Sequence, residues 1–575
     1  MISASIFSLF LYCFFIGTVF AEKFINKKDI ISYFLNSIIL SLFISWILVF
    51  ISQITETNLN YKVIFFAIVS LHLINILKKN KKITIEKNLT TLFIFLLLII
   101  FILTNPLKHS YELVFTKYDS IVTWNQWAID LYNFDYRGYM GYPVLFPGIW
   151  SLIYHAQDDS NFWIIAKFST IIPVLVCLLI ILKEFLRKKF QMSVYFFLSF
   201  ILLFYSNPIF GDLVSGYMDV PLALFVFASL ILMTSSLLDQ DKSVNSIYQI
   251  SFLVGLSLIT KQAAIFLLFA YIVFFFIINK KIKFTLKAII SNLLIVLLPI
   301  ALFLILSRES LFSLTLIENL RDVSLVESRF NFLFQSTIYM LRIYNPFILF
   351  FLLFFNLILI INFNSKNLFD IFSIFCFFIF LLIFFATSSC CSYDERNFFL
   401  TIPFLLISSF NGFRYFLSII LLEINQNKKL ILKNNYLSKL SILFFLSVGI
   451  LSFILSNSEE AILKLNNYKR SFIVDEIASR EVVKIVEKNE CTKLYSNEIL
   501  LTYNSNVMKL KKRFIFNDNL NLKDIKKITS CENGNLIWFE YLSPQKIKNW
   551  DEIELYLKNN NAIRLDLNNL IFKLN

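Results

Sequence analysis

An α-helical polytopic membrane protein carrying a small C-terminal α/β domain is the fold class this sequence predicts, on three observations. The first is composition: of 575 residues, 58% are hydrophobic and only 16% charged, with a mean hydropathy of +0.70. A soluble chain of this length carries roughly a quarter charged residues. The second is a long series of apolar runs whose connecting loops alternate between Lys-rich and Lys-poor. The third is a sharp fall in hydrophobicity after residue 456, where the chain becomes rich in Lys, Asn and Glu.

Crossing about 30 Å of hydrocarbon takes about 20 helical residues. By that rule about fourteen runs are candidate spans: 3–21, 31–52, 61–77, 89–104, 161–182, 191–206, 220–238, 247–260, 263–278, 285–306, 336–362, 369–387, 397–422 and 437–456. Lys and Arg in short loops mark the cytoplasmic side. Basic clusters at Lys23/Lys27/Lys28, Lys78/Lys79/Lys81/Lys82, Lys183/Arg187/Lys188/Lys189, Lys280/Lys281/Lys283 and Lys428/Lys429/Lys433 then all fall on one side. The alternate loops 53–60, 105–160, 207–219, 307–335 and 388–396, and everything after 456, are predicted to face the other way.

The formal net charge of +14 is therefore largely a topology signal. No soluble module presents a basic face with interleaved aromatics, so nucleic acid is excluded as a partner. The first run ends Val19-Phe20-Ala21, a small-residue pattern, but no basic residue precedes it and three lysines follow. It reads as a retained helix rather than a cleaved signal. Cys13, Cys177, Cys376, Cys390 and Cys391 show no metal-ligand spacing. Cys491 and Cys531 are the two in the predicted outer domain, where an oxidising compartment permits a disulfide; two separate buried thiols are the alternative.

Four regions follow: N-terminal helices over 1–104, a large first outer loop with interfacial helices over 105–160, a helical core over 161–456, and a non-cytoplasmic α/β domain over 457–575. In the last, Phe472, Ile473, Ile477, Val482, Val483 and Val486 recur at helical spacing and predict an amphipathic helix over 470–488. Short apolar runs at Lys493–Tyr495, Arg513–Phe516 and Leu536–Tyr541 predict strands, the last preceded by an Asn533-Gly534 turn. This domain holds no glycine-rich phosphate loop, HExxH or zinc spacing, and reads as a cap or acceptor-binding platform.

The outer loop is the most informative segment. At about 56 residues it far exceeds an ordinary connection, and loops of that length are commonly functional. It contains Tyr118-Asp119-Ser120, then Trp124 and Trp127, then Gly141-Tyr142-Pro143-Val144-Leu145-Phe146-Pro147. Asp119 is thus a carboxylate beside an aromatic stripe at helical spacing. The plainer reading makes Trp124 and Trp127 interface anchors and Asp119 a helix cap. His109 and His155 share the loop without ligand spacing.

Other acids and bases meet the same predicted side. Asp219 lies in Gly216-Tyr217-Met218-Asp219-Val220-Pro221-Leu222 at a helix mouth, where its plain role is an N-cap with Pro221 in the first turn. Thr260-Lys261-Gln262 interrupts an apolar stretch; an ionisable residue there is functional by default, or else snorkels to the interface. Arg396 opens a third helix mouth, and Arg321 and Arg329 occupy the loop between. Lys or Arg in such a place suits an anionic lipid-linked donor, and a carboxylate suits deprotonation of an acceptor hydroxyl.

These stretches, in order over about residues 110–410, resemble GT-C-type glycosyltransferases, the polyprenyl-phosphate-sugar-dependent membrane enzymes that include protein O-mannosyltransferases and bacterial aminoarabinose transferases. Tyr118-Asp119 resembles their first acidic motif, and Tyr142-Pro143 through Pro147 the Tyr-Pro segment that follows it. Gly216 through Leu222 resembles the second acidic motif, Gly255-Leu256-Ser257-Leu258-Ile259-Thr260-Lys261 the later Gly-Leu…Thr-Lys stretch, and Arg396 through Pro403 the Arg…Pro helix start. Two features differ: the long loop follows the fourth predicted helix instead of the first, and Ser120 stands where a second acid would. The resemblance implies transfer of a sugar from a polyprenyl-phosphate donor to a glycan, lipid or protein acceptor outside the cytoplasm, in a bacterial inner membrane. It implies Asp119 as general base and Asp219 as its assistant through acceptor or metal contacts. Lys261 and Arg396 would hold the donor phosphate, with Arg321, Arg329, Trp124, Trp127 and Tyr142 as further substrate contacts. No divalent metal is required by the sequence, and none is assigned. The rival expectations are a transporter or lipid-linked oligosaccharide flippase, which needs charges deep within helices, and a polysaccharide polymerase or ligase, which would lean on Arg321 and Arg329.

Overall fold

A computed structural model of the chain describes residues 2–21, 30–78, 120–136, 142–158, 164–187, 189–205, 216–238, 244–307, 326–390, 395–426, 481–496 and most of 507–574. The chain forms two compact units that divide chiefly between Ser456 and Asn457. The larger is almost wholly helical. Among the described residues, eight helices are long and apolar enough to cross a membrane, or nine if a bent pair counts as one. They are Ser3–Ala21, Ile30–Thr55, Ile165–Leu186, Asp219–Leu238, Gln262–Lys280, Leu286–Ser307, Leu368–Ser388 and Thr401–Ile419. Tyr61–Asn75, Gln191–Leu203 and Ser246–Leu258 are shorter apolar helices. The predicted runs 89–104 and 437–456 lie outside the described residues.

Burial sorts these helices. Asp219–Leu238 is enclosed along nearly its whole length, whereas Leu286–Ser307 exposes Leu286, Leu294 and Ile305, as a helix facing lipid does. With no water in hydrocarbon, polar side chains between helices must pair with one another. The Ser251 hydroxyl meets Tyr271 at 2.8 Å and donates to Asn292 Oδ1 at 2.7 Å, joining three helices. Lys183 Nζ donates to Gln249 Oε1 at 2.8 Å, and Gln249 in turn donates to Asn36. Pro299, inside Leu286–Ser307, removes the N–H that Ile295 would have used. Gly255 accommodates that carbonyl: a Cβ on Gly255 would stand 3.0 Å from the Ile295 oxygen. The Trp46 indole N–H donates to the Pro299 carbonyl at 3.0 Å.

One expectation is corrected. The apolar run 336–362 is not one straight helix: Leu333–Tyr344 and Pro346–Ile361 meet at a bend of 98°. The break is local chemistry. Asn345 sits at φ +60°, its side chain accepts from Phe347 N at 3.1 Å, and Pro346 occupies the first turn, so a second helix starts where the first must stop.

The smaller unit contains a five-stranded sheet: β1 (Leu494–Ser496), β2 (Phe514–Phe516), β3 (Asn535–Phe539), β4 (Ile563–Asp566) and β5 (Leu570–Leu574), in the order β2-β1-β3-β5-β4. β1 runs parallel to β2 and β3, and β5 antiparallel to β3 and β4. The three predicted apolar runs form the parallel strands. Of the predicted helix 470–488, residues 481–488 are described and helical, and Val482, Val483 and Val486 pack on Leu494, Leu536 and Trp538. A second layer of Ile553, Leu557 and Trp550, from helix Trp550–Asn559, covers Ile537 and Phe539. Gly534 takes the positive φ (+75°) that the turn before β3 requires, and its N–H donates to the Cys531 carbonyl at 2.8 Å.

Cys491 and Cys531 are joined as a disulfide, 40 residues apart. Closing a loop of that length in the unfolded chain is worth about 4 kcal/mol. Cys531→Ser together with Cys491→Ser is therefore expected to lower the stability of this domain by about 3–4 kcal/mol. Limited proteolysis of the full chain, with and without reductant, checks it. Equal protease resistance of the two proteins would show that the bridge contributes nothing.

Candidate active site

Three chain segments from the helical unit converge around Asp219. The helix Val244–Leu258 ends in a turn closed by Thr260 Oγ1 donating to the Leu256 carbonyl at 2.8 Å. Lys261 then adopts extended backbone (φ −159°, ψ 147°) before a short 3-10 turn, Gln262–Ala264, and the next helix, Ile265–Ile282. The expected interruption at Thr260-Lys261-Gln262 is thus a real break between helices. It frees the Lys261 side chain from a helical direction. Its ammonium donates to and ion-pairs with Asp219, the first residue of Asp219–Leu238, and both side chains are largely buried.

The second basic group arrives from a different segment. Arg396, in the 3-10 turn Glu395–Phe398, lays its guanidinium over the Tyr217 ring, 3.9 Å from the centroid. That cation–π contact is close enough to be worth about 1–2 kcal/mol when partly desolvated. Tyr217 and Asp219 are two residues apart, which limits their Cα atoms to about 7 Å. Lys261 therefore pairs with the carboxylate itself, while Arg396 reaches the same segment through the Tyr217 ring. Tyr217 stood in the recognisable motif without being singled out; a Tyr two residues before an acid at a helix mouth was the available signal.

The outer loop joins the same neighbourhood through its backbone. Leu145 N–H donates to the Ile259 carbonyl at 2.9 Å, fixing the Tyr142–Leu145 segment two residues from Lys261. Phe146 stacks toward Phe225 of the Asp219 helix, with centroids 6.2 Å apart. Tyr142 in turn stacks on Trp127 (5.7 Å) and meets Trp124 edge-on (6.0 Å), while the two Trp rings form a T at 4.9 Å. Trp124 and Trp127 are about 5–6% exposed, so they are packed inside the protein and are not free interface anchors. Only Tyr142 of the three keeps a partly open face.

Between these tryptophans, Asn125 is fully buried and accepts a 2.7 Å hydrogen bond from the Tyr154 hydroxyl. Asp130, half-buried, accepts from Gln126 Nε2 at 2.7 Å, and burial pulls its carboxyl above the ordinary range. It is one of three described acids of the loop, with Asp135 and Asp158, and no motif pointed to it. His155 stacks on Phe134 (5.1 Å) and lies 4.8 Å from Tyr132, with Nε2 buried and unpartnered. Burial lowers its pKa to about 4, which keeps the ring neutral near pH 7. Among the described residues, no three His, Cys, Asp or Glu side chains gather as a metal-binding group.

Asp119, His109 and Arg321 lie outside the described residues. Arg329 falls within the helix Val326–Tyr344, and its side chain is not described. Asp219, Lys261 and Arg396 are brought together; Trp124, Trp127 and Tyr142 form a separate aromatic cluster tethered beside them. No family model, no curated protein and no solved structure matches this chain.

Proposed function

We propose that this protein is a GT-C-type membrane glycosyltransferase, moving a sugar from a polyprenyl-phosphate carrier to an acceptor on the non-cytoplasmic face. The observation that supports it is the convergence of Asp219, Lys261 and Arg396 at the mouths of three helices. Two cations at a membrane-surface position suit the phosphate of an anionic lipid, and partial burial strengthens that attraction. In the reaction the acceptor hydroxyl oxygen bonds to the anomeric carbon and the bond from that carbon to the phosphate oxygen breaks. The phosphate leaves with the electron pair, where Lys261 and Arg396 would stabilise it. The hydroxyl proton passes to a carboxylate, Asp119 by resemblance, while Asp219 positions Lys261. The tethered Tyr142, with its partly open face, would line the sugar side of the site. The orientation with loop, site and C-terminal domain outside the cytoplasm rests on the Lys and Arg distribution.

A transporter or flippase reading has less support, because the clustered charges sit at helix ends rather than at mid-span. The test is donor consumption by the full chain in proteoliposomes, using a panel of labelled polyprenyl-phosphate hexoses and pentoses with a cell-envelope acceptor fraction. One donor should be consumed, and Asp119→Asn should slow it by at least about 100-fold while leaving membrane insertion intact. Undiminished consumption by Asp119→Asn removes Asp119 from the mechanism. No consumption of any donor by the unaltered chain removes the enzyme reading itself.

A further inference from the structure

The 98° bend at Asn345-Pro346 sets two helices at nearly a right angle. Pro346–Ile361 exposes Phe347, Phe350, Phe351, Leu357 and Ile361 along its length, as a lipid-facing helix does. Membrane helices tilt about 20° from the normal on average. A helix at 98° to one of them therefore lies near the membrane plane.

The in-plane helix has two unlike faces. Ser336, Met340, Ile343 and Tyr344 are buried, and Tyr344 meets Thr401 at 2.9 Å while Tyr339 lies 6.3 Å from Phe398. That face is seated on the segment that carries Arg396. On the opposite side Phe334 is 65% exposed and Leu341 38%, two turns apart and so on one face. Arg342, also exposed, is one position further round, with its guanidinium 5.9 Å from the Tyr339 ring centroid. An apolar edge bordered by Tyr and Arg is the pattern of a helix half-sunk in the headgroup region.

We infer that the helix Val326–Tyr344 is a membrane-interface helix whose outward face, Phe334 and Leu341 beside Arg342, is occupied by the bilayer itself, with an anionic phospholipid headgroup at Arg342. The occupant is set by continuity and charge: the helix runs directly into Pro346–Ile361, whose exposed apolar residues begin at Phe347, and Arg342 stands beside the exposed edge. The inference does not depend on the enzyme reading, since it rests on the bend, the two faces, the run into Pro346–Ile361 and the charge of Arg342.

The test uses the full chain in vesicles of equal phosphatidylcholine and phosphatidylglycerol, with photoreactive benzoylphenylalanine replacing Phe334 or Leu341 in separate proteins. Mass spectrometry of the captured species is the readout. Both positions are expected to capture lipid, and Leu341→benzoylphenylalanine to capture phosphatidylglycerol over phosphatidylcholine by about fivefold, the enrichment one basic residue gives near an anionic leaflet. Adding Arg342→Gln should bring that ratio close to one. Capture of another protein segment or a second copy at Phe334, or no lipid adduct there, overturns the interface assignment. An unchanged ratio in Arg342→Gln overturns the headgroup assignment.

Discussion

Lys261→Met is expected to destabilise the helical unit by about 3 kcal/mol, because it strands the Asp219 carboxylate in a largely buried position. The net worth of an ion pair and the cost of breaking one differ. Removing both charges loses only the difference between attraction and desolvation, which is small; removing one leaves the other desolvated and unpaired. Asp219→Asn/Lys261→Met should therefore be more stable than Lys261→Met alone, and a thermal-melting cycle in detergent measures the coupling directly. Strict additivity of the two single changes would mean that the pair contributes nothing. The same pair bears on the proposed chemistry. In the structure the ammonium that would receive a donor phosphate already serves Asp219, so phosphate binding has to compete with a carboxylate. Asp219→Asn should then tighten binding of polyprenyl phosphate while lowering transfer, a split that a purely structural role would not produce.

What was legible in the sequence followed the strength of its physical signal. The membrane class and the C-terminal α/β domain were readable because hydropathy and strand alternation act over many residues at once. The parallel strands β1, β2 and β3 coincide with short apolar runs, whereas β4 and β5 went unseen: Ile563–Asp566 alternates with Arg564 and Asp566, too short a run to register as a strand. The break at Lys261 was visible as polar residues inside an apolar stretch. The break at Asn345-Pro346 was missed for the opposite reason, since apolar residues continue on both sides and a hydropathy window averages over a single Asn-Pro. At the site, Asp219, Lys261 and Arg396 were readable as helix-mouth charges, but their pairing was not. Which cation takes the carboxylate and which takes a tyrosine ring depends on contacts 42 residues apart or more. For the two tryptophans, burial disfavours the plainer anchor reading, which spacing could not decide because it reports a helical face and not what covers it.

Gly412→Ala is expected to do comparable damage with one carbon atom. Helices Pro346–Ile361 and Thr401–Gln426 pack so closely at this glycine that a Cβ on Gly412 would stand 1.7 Å from the Phe355 carbonyl oxygen and 2.5 Å from its carbon. Those are backbone atoms of a helix and cannot rotate aside. The helices must separate by roughly 1.5–2 Å to restore ordinary contact, and dispersion falls steeply over such a gap. Small residues are used at membrane helix contacts for this reason: lipid is as apolar as the side chains, so close packing and hydrogen bonds carry the association. The separation would also loosen what surrounds the glycine. Phe355 packs its ring on Phe413 and Phe416, and the neighbouring Asn411 donates to the buried Asp370 at 2.9 Å. A loss of about 3 kcal/mol or more follows from overpacking of this severity. Gly148→Ala is the matched control, since its new Cβ would meet side-chain atoms and no backbone: two Val49 methyl groups at 3.1 Å and the Trp46 ring at 3.5 Å. It should cost no more than about 1 kcal/mol. Melting temperatures of the two purified variants in the same detergent decide the matter, and a Gly412→Ala protein as stable as Gly148→Ala would mean the two helices do not meet at this register.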